Sequence, residues 1–324
     1  MRFLEDYHKI IQSALDKEII SREPIELYEP INYALSVGGK RLRPLLTLLS
    51  CDIFGGDIEQ AIYPALGLET FHNFTLLHDD IMDKAPIRRG HPTVYKKWDA
   101  NRAILSGDTM MVMAYDYILS SPKDLLFDVF TVFNKLGKEV CEGQQYDMNF
   151  ETEEKVTIEQ YLKMIHLKTA VLLGGSMQVG AIIARTSDKN IQKIYDFGES
   201  VGMAFQLQDD LLDAFGDEVV FGKKNGGDIR TNKKTYLYLK ALELADANQE
   251  KELKKLFSMQ NEDADEKVEK VLAIFHALDI ENKTRQLMEY YYSKAIETLA
   301  DIDLEKDKKE ILILLANSLM KRNN

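Results

Sequence analysis

The amino-acid sequence predicts an all-α protein built as a single large helical bundle. Apolar residues recur at three- and four-residue spacing along nearly all of its 324 residues, as on one face of a helix. The period-two alternation of half-buried strands is scarce. Pro and Gly fall mostly between the periodic segments, and no linker rich in Ser, Gly or Pro divides them. Residues 1–324 are therefore predicted to form one domain.

Two segments are apolar on every face, which is typical of helices at the centre of a large bundle. Residues 61–77 contain one formal charge, Glu69, and residues 169–184 contain none. The second segment is short for a membrane span and is interrupted by polar residues. We therefore expect two buried helices and no transmembrane segment.

The charge and cysteine content exclude several classes of function. The chain has 41 Lys and Arg against 53 Asp and Glu, a net charge of −12 at pH 7. A chain this acidic has no broad basic surface for phosphate backbones, so we expect no nucleic-acid partner. Cys51 and Cys141 form no CxxC pair, so neither a disulfide scaffold nor a zinc finger is indicated. Because the N-terminus also lacks a signal-peptide pattern, we expect a cytoplasmic protein.

The first apolar helix ends in an acidic motif, Asp79-Asp80-Ile81-Met82-Asp83. At 3.6 residues per turn, Asp79 and Asp83 share one helix face, and Asp80 lies about 100° away. Two carboxylates one turn apart repel each other unless a cation lies between them. Carboxylate oxygens completed by phosphates suit Mg²⁺. A lone motif of this kind is, however, more often a solvated helix end.

The same pattern recurs later in the chain as Asp209-Asp210-Leu211-Leu212-Asp213, again after an apolar helix. Solvation of a helix end does not readily explain two such motifs. If they faced each other in the bundle core, their aspartates would form an acidic cavity that needs several divalent cations. The sequence therefore predicts a carboxylate-lined metal site.

Three basic segments accompany the acidic motifs: GGKRLRP at 38–44, RRG at 88–90, and GKKNGGD at 222–228. The guanidinium groups and backbone amides of the first segment could hold a diphosphate, although a helix C-cap with a basic last turn is also possible. The third segment has the composition of a loop that covers phosphates, or of a plain polar turn. It is not a Walker loop.

Taken together, the motifs resemble those of the trans-type isoprenyl diphosphate synthases of the polyprenyl synthetase family. The similarity covers GGKRLRP, LLHDDIMD at 76–83, RRGHPT at 88–93, Lys168-Thr169, QLQDDLLD at 206–213, and GKKNGGD with Lys233 and Thr235. These motifs occur in the order found in the family. The resemblance implies a homodimeric, magnesium-dependent prenyltransferase with the isoprenoid synthase type I fold and a central active-site cavity.

The resemblance also implies a role for individual residues. Three Mg²⁺ ions, for which Mn²⁺ can substitute, would hold an allylic diphosphate between the acidic motifs. Direct metal ligands would be Asp79, Asp83 and Asp209, with direct or water-mediated binding by Asp80, Asp210 and Asp213. The allylic diphosphate would also contact Arg88, Lys168, Lys223 and Lys233. Isopentenyl diphosphate would be bound by Gly39, Lys40, Arg43, His72 and Arg89. The alternative interpretation of His72 is a hydrogen-bonded core histidine.

In the implied reaction, C4 of isopentenyl diphosphate is joined to C1 of dimethylallyl, geranyl or farnesyl diphosphate. Metal ions and cationic side chains would offset the charge that grows on the departing diphosphate. Thr169 and Gln206 resemble the dipoles with which the family stabilises an allylic carbocation. A proton is then lost to the released diphosphate, so no side chain needs to be a general base. The main contribution to the rate is that the two substrates are held close together in the orientation in which they react.

Two aromatic residues before the first acidic motif are candidates for setting the length of the product. Phe74 and Phe71 precede Asp79 by five and eight residues, about 7.5 and 12 Å along a helix. Bulky rings there would stop a growing chain, although both can also be ordinary core aromatics. A Phe at the fifth position resembles short-chain synthases, but the motif lacks the longer spacing common in bacterial farnesyl synthases. We expect a C15 product, with C20 as the next choice.

Three other classes of protein account for part of the pattern. A class I terpene cyclase shares the fold, but it needs no isopentenyl site and usually has a different second metal motif. A noncatalytic subunit of a heteromeric prenyl synthase should have lost aspartates, whereas both motifs are intact here. A metal phosphohydrolase with an HD pair at His78-Asp79 would leave the second motif and the basic segments unexplained.

Overall fold

The computed structural model describes residues 2–216, 225–259 and 264–320, and it confirms the all-α prediction. A two-stranded antiparallel hairpin, β1 (Ile87–Arg88) and β2 (His91–Pro92), is the sheet in these ranges. A π-helical segment, His166–Ala170, joins α8 to α9. The helices are α1 (Arg2–Lys17), α2 (Ile25–Ser36), α3 (Leu42–Ile53), α4 (Ile58–Met82), α5 (Val94–Lys97), α6 (Ala100–Leu119), α7 (Leu126–Thr152), α8 (Ile158–Ile165), α9 (Val171–Ile183), α10 (Asp188–Phe215), α11 (Gly227–Arg230), α12 (Tyr236–Leu244), α13 (Ala247–Leu256), α14 (Ala264–Ala277), α15 (Ile280–Ala300) and α16 (Lys306–Met320).

The chain divides into two units. Unit 1 comprises Met1–Gly137 and Gly175–Tyr195, and unit 2 comprises Lys138–Gly174 and Asp196–Asn324. The expectation of one domain over the whole chain stays a prediction. The first acidic motif belongs to unit 1 and the second to unit 2.

In unit 1, α4 is the long helix that carries the first acidic motif at its C-terminal end. It begins at the N-cap Asp57, whose side chain accepts a hydrogen bond from the Glu59 backbone N–H. It packs against α3 and α6 and buries residues on all sides, Leu66, Leu68 and Phe71 among them. The predicted buried helix at 61–77 is therefore confirmed for its central part, residues 64–71, whereas Tyr63 is exposed and His72 is half-buried.

In unit 2, α8 begins with a capping box in which Thr157 and Gln160 bind each other's backbone N–H groups. It continues through the π-helical segment into α9. Every residue in the range 169–183 except Gln178 is buried, so the second predicted core segment is also confirmed. Within the described ranges, no helix is long and apolar enough to cross a bilayer.

Candidate active site

The first aspartate triplet occupies the last turn of α4. The backbone N–H of Asp83 donates to the carbonyl of Asp79 at 2.8 Å, so these two residues are stacked one turn apart, as the spacing predicts. Asp79 is half-buried and Asp83 is exposed, whereas Asp80 is buried. The middle aspartate therefore points into the protein, and the outer two lie on the more exposed side.

Asp80 is paired with an arginine from the hairpin that follows α4. Its Oδ1 accepts from Arg88 Nε at 2.7 Å, and 6% of its side chain is exposed. The hairpin is fixed to the helix end because the Ala85 N–H donates to the Asp80 carbonyl and the Thr93 hydroxyl donates to the Ala85 carbonyl. Burial raises the pKa of Asp80, and Arg88 opposes this effect.

The turn of the hairpin holds Arg89 in the left-handed region, with φ of 53°. This conformation is unusual for arginine and fits the tight turn made with Gly90. The Arg89 Nη1 donates to the Gly38 carbonyl. A Cβ on Gly39, whose own φ is 130°, would lie 2.6 Å from the Arg89 guanidinium carbon. The absence of a side chain at Gly39 therefore leaves the space that the Arg89 guanidinium occupies.

The predicted isopentenyl diphosphate residues are brought together in unit 1. Burial, followed by the charges of Arg43, Arg89, Arg88 and Arg41, holds the pKa of His72 well below its usual value. His72 is therefore neutral near pH 7, and the arginines around it make this part of unit 1 strongly basic. Lys40 is exposed on the same Gly-rich segment.

Arg41 differs from its neighbours in the basic segment. It is buried and donates through Nη1 to Glu69 at 2.7 Å and through Nη2 to the Leu35 carbonyl. Glu69, the single formal charge predicted in the apolar part of α4, is thereby compensated. Arg41 therefore forms a buried ion pair with Glu69 within unit 1.

The second triplet lies near the C-terminal end of α10, and its middle aspartate is again buried. Asp210 accepts hydrogen bonds from the Tyr161 hydroxyl and from Gln206 Nε2, the latter at 3.0 Å. Burial and the nearby charge of Asp228 raise the pKa of Asp210 to about 8. Asp213 accepts from the Asp228 N–H at 2.8 Å, and Asp209 is half-buried. Asp210 is thus held by neutral donors.

The two predicted carbocation-stabilising residues are hydrogen-bonded to each other and to this triplet. Thr169 Oγ1 donates to Gln206 Oε1 at 2.9 Å, and the amide of Gln206 donates to Asp210. The amide orientation of Gln206 is therefore fixed at both ends. Thr169 lies in the π-helical segment, a type of irregularity that is frequent at functional sites.

Two of the predicted diphosphate-binding lysines share a partner that the motifs do not contain. Lys168 and Lys233 both contact Asp147, at 2.7 and 3.3 Å. Sequence reasoning missed both Asp147 and Tyr161, because each lies outside the motifs quoted above and its partner is distant in the chain. The predicted Lys223 lies outside the described residues.

An aromatic cluster lies around α4 in unit 1. The ring of Phe74 is 5.7 Å from that of Phe71 and 4.8 Å from that of His78. Phe71 in turn meets Phe133 at 5.5 Å, and Phe133 meets Tyr115 at 5.1 Å. Phe71 and Phe133 are fully buried. The predicted chain-length residues are therefore part of a continuous wall of rings.

The donor atoms of the triplets suit a hard divalent cation. Each triplet offers carboxylate oxygens alone, and in unit 1 the charge of Asp80 is already matched by Arg88. Within the described ranges, no three Asp, Glu, His or Cys side chains are gathered into a metal-binding cluster. A cation held by these carboxylates would need further ligands from water or a diphosphate, as is usual for Mg²⁺.

A helical protein with two aspartate triplets and separate groups of arginines and lysines has the features of an enzyme that handles diphosphates. Residues 24–275 match the Polyprenyl synthetase family, and the chain belongs to that family. It is an isoprenyl diphosphate synthase, a trans-prenyltransferase that uses divalent metal.

Three similar proteins match this chain over almost their full length. The geranylgeranyl diphosphate synthase of Sulfolobus acidocaldarius is 36% identical over 315 residues, covering 95% of this chain and 94% of that protein. A short chain isoprenyl diphosphate synthase of Methanothermobacter thermautotrophicus is 33% identical over 325 residues, covering 100% and 99%. A crystal structure of a geranylgeranyl pyrophosphate synthase is 45% identical, with a TM-score of 0.94 and 99% of both chains covered.

These similarities decide between the classes left open by the sequence. The family and the fold agree with a prenyl diphosphate synthase, which confirms the resemblance. The preference for a C15 product is not supported, because proteins named for a C20 product stand among the most similar.

Proposed function

We propose that the enzyme makes a C20 product, geranylgeranyl diphosphate, by head-to-tail (1′-4) addition of isopentenyl diphosphate to an allylic diphosphate. The observation that supports this product is the similarity to geranylgeranyl diphosphate synthases over nearly the whole chain. The Phe71 and Phe74 rings support a short chain, since their wall lies along α4 before the first triplet. Dimethylallyl, geranyl and farnesyl diphosphate are the proposed allylic substrates.

The aspartate triplets bind the divalent cations, three Mg²⁺ in this proposal. Asp79, Asp83 and Asp209 would be the direct ligands. Asp80, held by Arg88, and Asp210, held by Tyr161 and Gln206, would orient the triplets. When bound there, the cations would supply electrostatic stabilisation of the negative charge on the departing diphosphate. Asp213 fixes the segment around Asp228 through the backbone N–H that it accepts from.

The basic residues divide between the two substrates. In unit 1, Lys40, Arg43 and Arg89 bind the diphosphate of isopentenyl diphosphate, with neutral His72 and the Gly39 backbone beside them. The allylic diphosphate is bound by Arg88, Lys168, Lys223 and Lys233. These lysine and arginine side chains are in place before the reaction. Little reorganisation is therefore needed as negative charge moves onto the leaving diphosphate.

The allylic carbocation is stabilised by the oxygen dipoles of Thr169 and Gln206. The hydrogen bond between them, and that from Gln206 to Asp210, fixes the direction of these dipoles. Buried apolar residues around them, Leu207 and Ala170 among others, keep out nucleophilic water. The double bond of isopentenyl diphosphate attacks C1, and the proton lost from C2 goes to the released diphosphate.

The test is to incubate the enzyme with isopentenyl diphosphate, Mg²⁺ and each allylic diphosphate in turn, and to size the products by mass spectrometry. The proposal predicts C20 from all three primers and no product in chelator. Products that stop at C15, or failure to extend farnesyl diphosphate, would contradict the chain length. No elongation of any primer would contradict the proposed function itself.

We also propose a homodimer, because α6 leaves an apolar stripe exposed. Leu105, Val112 and Leu119 recur every seven residues along one face and are 58%, 61% and 54% exposed. A second copy is the simplest partner for such a stripe. Light scattering should give twice the chain mass, falling to the monomer mass in L105E/V112E. A monomeric wild type would contradict the dimer.

A further inference from the structure

A carboxylate on α7 links two predicted diphosphate-binding lysines in unit 2. One oxygen of Asp147, Oδ2, lies 2.7 Å from Lys168 Nζ and 3.3 Å from Lys233 Nζ. Thirteen per cent of the Asp147 side chain is exposed. Lys168 comes from the π-helical segment and Lys233 from the turn before α12, so Asp147 holds together two ammonium groups from separate parts of the chain.

The backbone of α7 fixes the position of Lys168 from the same side. Gly143 precedes Asp147 by one helical turn and therefore lies on the same face. A Cβ on Gly143 would be 2.3 Å from the backbone nitrogen of Lys168, so the two backbones are in direct contact. Lys168 is thus placed by α7 at both ends, its backbone by Gly143 and its ammonium group by Asp147.

The C-terminal end of α7 fixes the segment that carries Lys233. The neighbouring Lys234 donates from Nζ to the Phe150 carbonyl at 2.6 Å and to the Glu153 carbonyl at 2.5 Å. A lysine at this position satisfies carbonyls that have no partner within the helix and interacts favourably with the helix dipole. Both lysines are therefore held against one rigid helix.

The charges explain what the carboxylate does. Burial would raise the pKa of Asp147, but Lys233 and Lys168 outweigh this effect and hold the pKa below its usual value. Asp147 is therefore ionised at neutral pH. Without it, two ammonium groups this close would repel each other before any diphosphate arrived.

We propose that Asp147 is a positioning residue, which holds Lys168 and Lys233 at the spacing that both need to bind the departing allylic diphosphate. Asp147 itself does not touch the substrate. The inference rests on the proposed function, because it deepens the role of two lysines in that reaction.

The test compares the isosteric variant D147N with wild type. Because D147N removes the charge that holds the lysines, kcat/KM for the allylic diphosphate should fall about 10- to 100-fold. KM for isopentenyl diphosphate, whose site lies in unit 1, should stay within about twofold. The control is E151Q, which neutralises an exposed acid on the same helix and should leave both constants unchanged.

A double variant separates positioning from a general loss of structure. If Asp147 acts through Lys233, the factor by which D147N lowers kcat/KM for the allylic diphosphate should be at least about threefold smaller in a K233A background than in wild type. Equal costs in the two backgrounds would overturn the proposal. The proposal would also be overturned if D147N had wild-type kinetic constants, or if its constants for the two substrates were impaired equally.

If D147N does not fold, D147E makes the same test, because it keeps the charge and moves the carboxylate by one methylene. A selective loss for the allylic substrate supports the proposal, and wild-type constants overturn it. Inactivity of the wild type toward all primers would instead indicate that the proposed function is wrong.

Discussion

The two aspartate triplets have the same sequence pattern but different surroundings. In unit 1 the middle residue, Asp80, is paired with a charged group, Arg88. In unit 2 the middle residue, Asp210, is held by the neutral donors Tyr161 and Gln206, and its pKa is raised to about 8. Burial raises the pKa of Asp80 as well, but in the first triplet the ion pair with Arg88 opposes this rise and favours the charged form. The second is less charged at neutral pH until a cation favours the ionised form. A shared motif does not imply a shared protonation state.

The largest effect is expected where the two triplets are alike, at their outer aspartates. D79A and D209A should each lower kcat by roughly 10³-fold or more, since in the proposed function each removes a carboxylate that would hold the cations. The test measures steady-state rates, and circular dichroism shows whether the variants fold. Near-normal turnover in either variant would remove that triplet from the metal site.

The next largest effect should be confined to unit 1. G39A places a methyl group 2.6 Å from the Arg89 guanidinium carbon, so Arg89 must move, and KM for isopentenyl diphosphate should rise about tenfold. G38A is the matched control, because position 38 also has positive φ but has no atom within 4 Å of the added Cβ. Equal effects in the two variants would mean that backbone strain, and not Arg89, is responsible.

The helix that carries the first triplet should also set the product length. F74A opens the ring wall beside Phe71, and the longest product should gain at least one five-carbon unit. Y63A removes an exposed ring from the start of the same helix and should not change the product. Product sizing by mass spectrometry makes the comparison. An unchanged product from F74A would show that Phe74 has no part in chain length.

The partners of the two middle aspartates should differ in their contribution to stability. R88Q leaves the buried Asp80 without its counter-charge and should lower the free energy of unfolding by about 2 kcal/mol. Y161F removes one neutral donor while Gln206 remains, so about 1 kcal/mol is expected. Urea denaturation measures both. A larger loss in Y161F would reverse the contrast drawn between the triplets.

The smallest effect concerns pH and the neutral histidine of unit 1. The pKa of His72 is lower in the folded state, so the unfolded chain binds more protons below about pH 6.5. The stability due to the neutral ring is therefore fully present at higher pH and is lost as the pH falls. In H72Q the decline of the unfolding free energy between pH 6.5 and 5 should be shallower, by at most about 1.4 kcal/mol per pH unit. Identical slopes would contradict the assignment.

The sequence predicted the features that depend on local spacing. Helical periodicity gave the two buried segments, and the one-turn separation of Asp79 and Asp83 followed from helix geometry. The basic group around His72 was predicted by resemblance, and the structure brings it together. The left-handed Arg89 could not have been predicted, because Arg-Gly is not a characteristic pair for such a turn.

Contacts between residues that are far apart in the chain could not be predicted from the sequence. Tyr161 meets Asp210, and Asp147 meets Lys168 and Lys233, through folding that no local pattern encodes. The one available signal was the four-residue spacing of Gly143 and Asp147. This spacing becomes informative once Lys168 is known to pack against that face of α7.

The central claim is that both triplets serve one transfer of the allylic group, and a single-turnover experiment tests it most directly. D79N, D209N and the double variant D79N/D209N are mixed with farnesyl diphosphate, isopentenyl diphosphate and Mg²⁺, and the rate of C20 formation is measured by rapid quench. Residues that act as a unit should make the double variant about as slow as either single variant. Losses that multiply, so that the double variant falls by the product of the two single effects, would show that the triplets act independently and would contradict the account.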